Sequence, residues 1–210
     1  MAKVWYNIIM RTKRFWQFDV VDATWEEWRA ELYRLMSTKS KRPQIVFTPN
    51  PEQIMLAEHN LAFRQDLLKA DYLLPDGQGL VWAAGVRTRL TGSDSTLEIL
   101  QMSKKMQLRL LLVGGRYSDQ ARSDHKLDLE INGNFYELSY SSGYECVTSP
   151  MPSEENRLAA LIQELKPDVV LVAFGAPAQE HWVVTHKDAL TAAGVRLVMV
   201  VGGSFDFLTG

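Results

Sequence analysis

The chain has 210 residues, 46% of them hydrophobic and 23% charged, with 25 acidic against 23 basic side chains. That length suits one sizeable core, a single domain over 1–210, and the near-even charge balance gives no reason to expect a nucleic-acid partner. The only cysteine, Cys146, excludes an internal disulfide framework and a cysteine-rich zinc site.

The first residues, MAKVWYNIIMRTKRFW, hold an apolar patch too short for a signal-peptide core. No window reaches the ~20 apolar residues of a membrane-spanning helix. A cytoplasmic protein is expected, free to lie against a membrane surface. The basic runs Arg11–Arg14 and Lys39–Arg42 read as solvated faces, with attraction to an anionic leaflet as the alternative.

Thr24 and Glu27 form a capping-box pattern ahead of Trp25, Trp28, Leu32 and Leu35, which recur at helical spacing. A strand is predicted over Gln44–Thr48. Asn50 as N-cap and Pro51 at the first helical position then open a helix running to Lys69. Next come a strand over Asp71–Leu74, a short helix over Gln78–Gly85, a helix over Ser93–Met106 and a strand over Leu108–Val113. A helix is predicted over Ser118–Glu130, a strand over Phe135–Tyr140 and a helix over Ser153–Lys166. The last elements are a strand over Val169–Phe174, a helix over Gln179–Ala193 and a strand over Arg196–Val201. Strands such as LRLLLV, DVVLVAF and RLVMVV are apolar throughout, as expected of strands covered on both faces. The alternation predicts an α/β fold with a mainly parallel sheet flanked by helices.

In such a sheet the carboxyl ends of the strands share one edge, where ligands bind. Four junctions there carry unusual residues: TPNPEQ with Thr48 and Asn50, LPDGQG with Asp76, FGAPAQEHW with Gly175 and Gln179, and VGGSFDFLTG with Gly202. Each has a plain structural reading. Pro-Asp-Gly is a turn signal, Asn50 is a helix cap, and Gln179 and Glu180 are first-turn residues facing a positive helix end. Small residues at Gly114, Gly175 and Gly202 allow close backbone approach, so that amides there can meet phosphate oxygens. Arg87 and Arg89 follow the Asp76 segment by one short helix, close enough to place a guanidinium near a phosphate. No metal site is expected, because His59, His125, His181 and His186 lack ligand spacing. The Walker and dinucleotide fingerprints are absent as well, which argues against a nicotinamide oxidoreductase.

Taken in order, TPNPEQIMLA, ADYLLPDGQGLVWA, RLTGSD, LLLVGG, PDVVLVAFGAPAQEHW and VGGSFDFLTG resemble the WecG/TagA/CpsF family of bacterial glycosyltransferases over about Ile45 to Gly210. The resemblance implies a Rossmann-like, metal-independent enzyme without a cofactor, acting at the cytoplasmic face of the membrane. Such enzymes transfer a sugar, typically N-acetylmannosamine or its uronic acid, from a UDP-sugar to undecaprenyl-diphosphate-linked N-acetylglucosamine, with inversion. The products feed teichoic acid or other cell-surface polysaccharides. By position, the resemblance assigns the catalytic base to Asp76 and substrate contacts to Thr48, Asn50, Arg89 and Gln179.

Two departures accompany it. Ala178 stands where the family has lysine, and the chain ends at FDFLTG, where an arginine-bearing C-terminal appendage is expected. A catalytically silent nucleotide-sugar-binding or assembly subunit therefore stays open beside the transferase, as does a homo-oligomer.

Overall fold

The computed structural model describes residues 10–117, 120–121 and 125–209. In chain order they form β1 (Thr12–Phe15), β2 (Phe18–Val21), α1 (Trp25–Ser37), β3 (Gln44–Phe47), α2 (Pro51–His59), α3 (Leu61–Leu67), β4 (Tyr72–Leu73), α4 (Gln78–Ala84) and α5 (Gly92–Met106). There follow β5 (Leu110–Gly114), β6 (Lys126–Ile131), β7 (Asn134–Ser141), α6 (Pro152–Leu165), β8 (Val169–Ala173), α7 (Ala178–Thr185), α8 (Lys187–Ala192), β9 (Leu197–Val200) and α9 (Ser204–Thr209).

The strands make one mixed sheet in the order β1-β2-β4-β3-β9-β8-β5-β7-β6. From β2 to β7 every pairing is parallel; only the outermost strands, β1 and β6, run antiparallel to their neighbours. The expected α/β fold is therefore observed.

Period-two alternation divides the interior into two layers. Ile45, Phe47, Leu111, Val113, Val170, Val172, Val198 and Val200 pack with apolar residues of α2, α3, α4, α6, α7 and α8. Val46, Leu110, Leu112, Val169, Leu171, Leu197 and Met199 pack against α1, α5 and α9. Sheet and helices thus cover both faces of the central strands, and their carboxyl ends remain as the open edge.

Three expectations need correction, and one hairpin was not among them. The helix read over Ser118–Glu130 is contradicted at its C-terminal end, where Lys126–Ile131 is strand β6. The KLDLEI string alternates exposed and buried residues, and Asn132-Gly133, both at positive φ, turns it directly into β7. Period two and the Asn-Gly turn override helix propensity there. Much of the rest of that expected helix falls outside the described residues. The helix expected from Pro51 to Lys69 is two helices divided at Asn60, which ends α2 and caps α3 by accepting the Phe63 N–H at 3.0 Å. The helix over Gln179–Ala193 likewise breaks at His186, whose Nε2 lies 2.9 Å from Glu155 Oε2. The β1–β2 hairpin was not expected at all: its first strand is short, charged and largely exposed, and Trp16 and Gln17 form its turn.

Candidate active site

Asp76 lies at the open edge, four residues beyond the start of β4. Its backbone N–H donates to Pro49 O (3.2 Å), lacing the loop after β4 to the loop after β3. Leu90 N–H donates to Pro75 O (3.1 Å), which lays the start of α5 across the same loop. The Asp76 carboxylate then accepts the N–H of Gly92, the first residue of α5, at 3.0 Å through Oδ2. A carboxylate at a helix N-terminus meets an unsatisfied donor and the positive end of the dipole. Oδ1 has no hydrogen-bond partner among the described residues. Burial pushes the Asp76 carboxyl above its ordinary value; the Gly92 N–H and the nearby Arg89 charge oppose this, and Asp94 adds to it.

Around Gly92 several functional atoms converge. A methyl built on it would lie 3.2 Å from Ser204 Oγ, 3.3 Å from Thr48 Oγ1 and 3.5 Å from Asp76 Oδ2. Thr48, Asp76 and Ser204, from the ends of β3, β4 and β9, thus share one small volume that only glycine leaves open. Thr48 Oγ1 also points at Val200 O, 3.5 Å away.

Asn50 serves the plain structural role: its side-chain oxygen accepts the Gln53 N–H at 2.8 Å while Gln53 Oε1 accepts the Asn50 N–H at 3.1 Å. Arg89 is exposed and has no ion-pair partner among the described residues. Arg87 is not beside it in function. Its N–H groups reach Asp22 and Glu27 (2.6 Å to Glu27 Oε2), so it fastens the entry of α1 to the segment after α4.

Beyond β9 the edge opens into a cleft of about 540 Å³ lined by Gly114, Arg116, Phe174, Gly175, Gly202 and Gly203, among others. Gly114, Gly175 and Gly202 are thereby brought together as expected. Gly114 cannot be replaced without collision, since a methyl there would stand 2.7 Å from the Phe174 ring and 2.9 Å from Ala173 backbone atoms. Gly175 differs: at φ +79° its added methyl would meet nothing within 4 Å. Phe174 stacks on Tyr144 with ring centroids 5.6 Å apart, which fixes the wall between the cleft and a second hollow lined by Arg116, Glu145 and Arg157.

Gln179 is not aimed at a ligand. It is 3% exposed, and its side-chain oxygen accepts the N–H groups of both Gly175 and Gly202 at 3.2 Å. The amides of these two glycines are accordingly spent inside the protein, and the glycines serve the cleft by leaving room. Glu180 stands in the first turn of α7, as expected, and is 1% exposed. Gly92, Ser204, Arg116 and Phe174 carried no role in the sequence reading. Backbone donors have no sequence signature, and Ser204 sits inside a glycine-rich junction that was read as a phosphate loop. Among the described residues no three His, Cys, Asp or Glu side chains gather as a metal site.

Comparison with known proteins gives this geometry a context. Residues 13–210 match the model of the glycosyl transferase WecG/TagA/CpsF family. An N-acetylglucosaminyldiphosphoundecaprenol N-acetyl-beta-D-mannosaminyltransferase of Bacillus spizizenii is 28% identical over 207 residues, 96% of this chain and 76% of the relative. Proteins of the same name from Staphylococcus aureus and Bacillus subtilis are 24% and 27% identical, over 83% and 79% of this chain. The chain spans 66% and 62% of the length of those two relatives. With its family match running from β1 through α9, the chain belongs to the WecG/TagA/CpsF family of glycosyl transferases.

Proposed function

We propose that the chain transfers N-acetylmannosamine, its uronic acid or a related hexose from a UDP-sugar to undecaprenyl-diphosphate-linked N-acetylglucosamine, with inversion and without a metal ion. The observation that carries this reading is Asp76, a half-buried carboxylate with one oxygen held by Gly92 N–H and the other unpartnered among the described residues, beside a glycine-lined cleft. In an inverting transfer the acceptor hydroxyl oxygen bonds to the anomeric carbon as the bond to the UDP oxygen breaks. The electron pair leaves on the diphosphate, and the hydroxyl proton passes to a base. Asp76 Oδ1 is that base, and the burial that raises its pKa makes it a better one. Thr48 and Ser204, whose hydroxyls lie beside the same carboxylate, orient the reacting sugars.

Charge that develops on the leaving diphosphate needs oriented donors. Arg116 on the cleft wall and Arg89 beside Asp76 supply them. The donor then occupies the cleft over β5, β8 and β9, and the acceptor approaches from the side of β3 and β4.

That approach has a surface suited to a lipid. Among the described residues no helix is long and apolar enough to cross a membrane. Yet Trp82 is 76% exposed and Met55 52% exposed, on the two helices that start at the site. The helices touch where Gly79 meets Pro51, with 3.1 Å from an added methyl to the proline ring. Trp82 lies one turn beyond Gly79 and Met55 one turn beyond Pro51, so both extend the same exposed faces. Lys13 donates to Gly85 O at the far end of α4, and the exposed Trp16 lies in the adjoining hairpin. Aromatic residues with basic neighbours are the composition that settles at a membrane interface. We place this face on the cytoplasmic leaflet, where the polyprenyl chain of the acceptor is held.

UDP release from a panel of UDP-N-acetylhexosamines and their uronic acids, with a short-chain lipid-diphosphate N-acetylglucosamine, tests the reading. Acceptor-dependent release that survives EDTA and collapses in Asp76→Asn supports it. Release unaffected by Asp76→Asn overturns the assignment of the base, and UDP binding without any release reduces the chain to a binding subunit.

A further inference from the structure

Glu180 is buried within α7, and Oε2 of its carboxyl has no hydrogen-bond partner among the described residues. Oε1 accepts the Gln179 side-chain N–H at 3.0 Å. Gln179 in turn holds the N–H groups of Gly175, after β8, and Gly202, after β9, through its single carbonyl oxygen. The two glycine N–H groups decide which way the amide faces, and Glu180 anchors its nitrogen and so holds the side chain in place. One buried carboxyl thus orients the side chain that ties together the two glycine loops of the cleft.

The surroundings of Glu180 bear on its charge. Helix α7 packs on α3, α8, β8 and β9. The strands β8 and β9 carry no ionisable side chain. On α3 stand Arg64, which donates to Ala57 O, and Asp66, itself buried and paired with His181 at 2.9 Å and Lys69 at 3.6 Å. On α8 stand Lys187 and Asp188, and His186 between the helices pairs with Glu155. Among the described residues no cation is paired with Glu180 itself. Burial, assisted by Asp66, pushes its carboxyl up to about 7, against hydrogen bonds from Gln179 and from the Glu180 backbone.

We infer that Glu180 is a positioning residue that must be neutral: its protonated carboxyl locks Gln179 across Gly175 and Gly202, and loss of that proton loosens the floor of the donor cleft. A carboxylate accepts the Gln179 N–H more strongly than the neutral acid does, but burial with Oε2 unpaired among the described residues outweighs that gain, so the charged form favours an opened helix start. The consequence for the donor rests on the transferase reading proposed above; the consequence for the two glycine amides does not. If only the locked form binds the donor, its apparent dissociation constant rises about tenfold between pH ~6 and ~8, in proportion to the shrinking neutral fraction.

The test uses amide NMR of the whole chain and UDP binding, each across that pH range, for wild type, Glu180→Gln, Glu180→Ala and His181→Gln. The Gly175 and Gly202 amide resonances of wild type and of His181→Gln should titrate near neutrality and those of Glu180→Gln should not, because glutamine is a permanent neutral stand-in. In Glu180→Ala the same two amides should exchange faster with solvent at every pH. Amides that titrate equally in wild type and Glu180→Gln, or that stay equally protected in Glu180→Ala, overturn the inference. Amides that behave as expected in a protein that binds no UDP keep the lock and refute the donor reading instead.

Discussion

Replacing Gly175 by alanine separates room for a ligand from backbone strain, provided that Gly133→Ala is made beside it. Both glycines have positive φ, +79° and +72°, and neither would have a methyl within 4 Å of any neighbour. The steric penalty of that backbone region for an L-residue, about 1–2 kcal/mol, therefore falls on both alike. At ~2–4 °C per kcal/mol for a domain of this size, each variant should lose roughly 2–8 °C of Tm. They part over the ligand. Gly133 turns the β6–β7 hairpin, whereas Gly175 lines the cleft, where empty space beside the Cα is space for the donor. UDP affinity measured by calorimetry should be unchanged in Gly133→Ala and weaker by tenfold or more in Gly175→Ala, at least ~1.4 kcal/mol. Equal UDP affinity in the two variants, at equal Tm, would refute placing the donor in this cleft.

The remaining predictions concern the base, the lipid face and the buried acid. Asp76→Asn should lower the transfer rate by about 10²–10⁴-fold, the usual contribution of a general base, while UDP binding persists, as single-turnover kinetics and calorimetry can establish. Trp82→Ser should weaken co-sedimentation with anionic vesicles yet leave Tm within about 1 °C, since the ring is exposed and its loss opens no cavity. Stability should decline with pH through Glu180: a carboxyl raised from 4.5 to about 7 on folding contributes fully below 4.5 and loses that contribution as pH rises past 7. The span is on the order of 3 kcal/mol, and denaturant midpoints of wild type and Glu180→Gln across the range report it as the difference between their two slopes.

What the sequence discloses follows from how local each signal is. The α1 start was legible because Thr24 and Glu27 satisfy each other's backbone within one turn, and both bonds are present. The place of Asp76 at the sheet edge was legible for a related reason, because Pro-Asp-Gly directly follows a predicted strand in a sheet read as mainly parallel. The hairpin of β6 and β7 was also written locally, in Asn132-Gly133 and the alternation before it, and the helical reading passed over both. The partner of Asp76 was not legible, because Gly92 N–H is a backbone donor brought sixteen residues along the chain by α4 and the Leu90–Pro75 bond. Glu180 falls between. It stands three residues before the buried Val183, on the inner face of α7, and that spacing is the local signal for its burial.

The edge of the sheet divides the chemistry into two halves that meet at β9. Asp76, Thr48 and Gly92 belong to β3, β4 and α5; the cleft belongs to β5, β8 and the loop after β9. The segment from Val200 to Ser204 touches both, through Val200 O toward Thr48, Gly202 N–H on Gln179, and Ser204 Oγ beside Gly92, and α9 continues the link by packing on α5 while Phe205 and Asp206 line the cleft. A change in the first half should therefore act on the rate of the chemical step and a change in the second on donor affinity. A change between Val200 and Ser204 has no such separation available to it, because moving Gly202 drags Ser204 with it. Ser204→Ala removes one hydroxyl and leaves that backbone in place, so its effect should stay in the rate. Gly202→Ala strains the backbone at φ +48° and should lower both rate and affinity. If Gly202→Ala altered affinity alone, the two halves would be independent sites that merely share an edge.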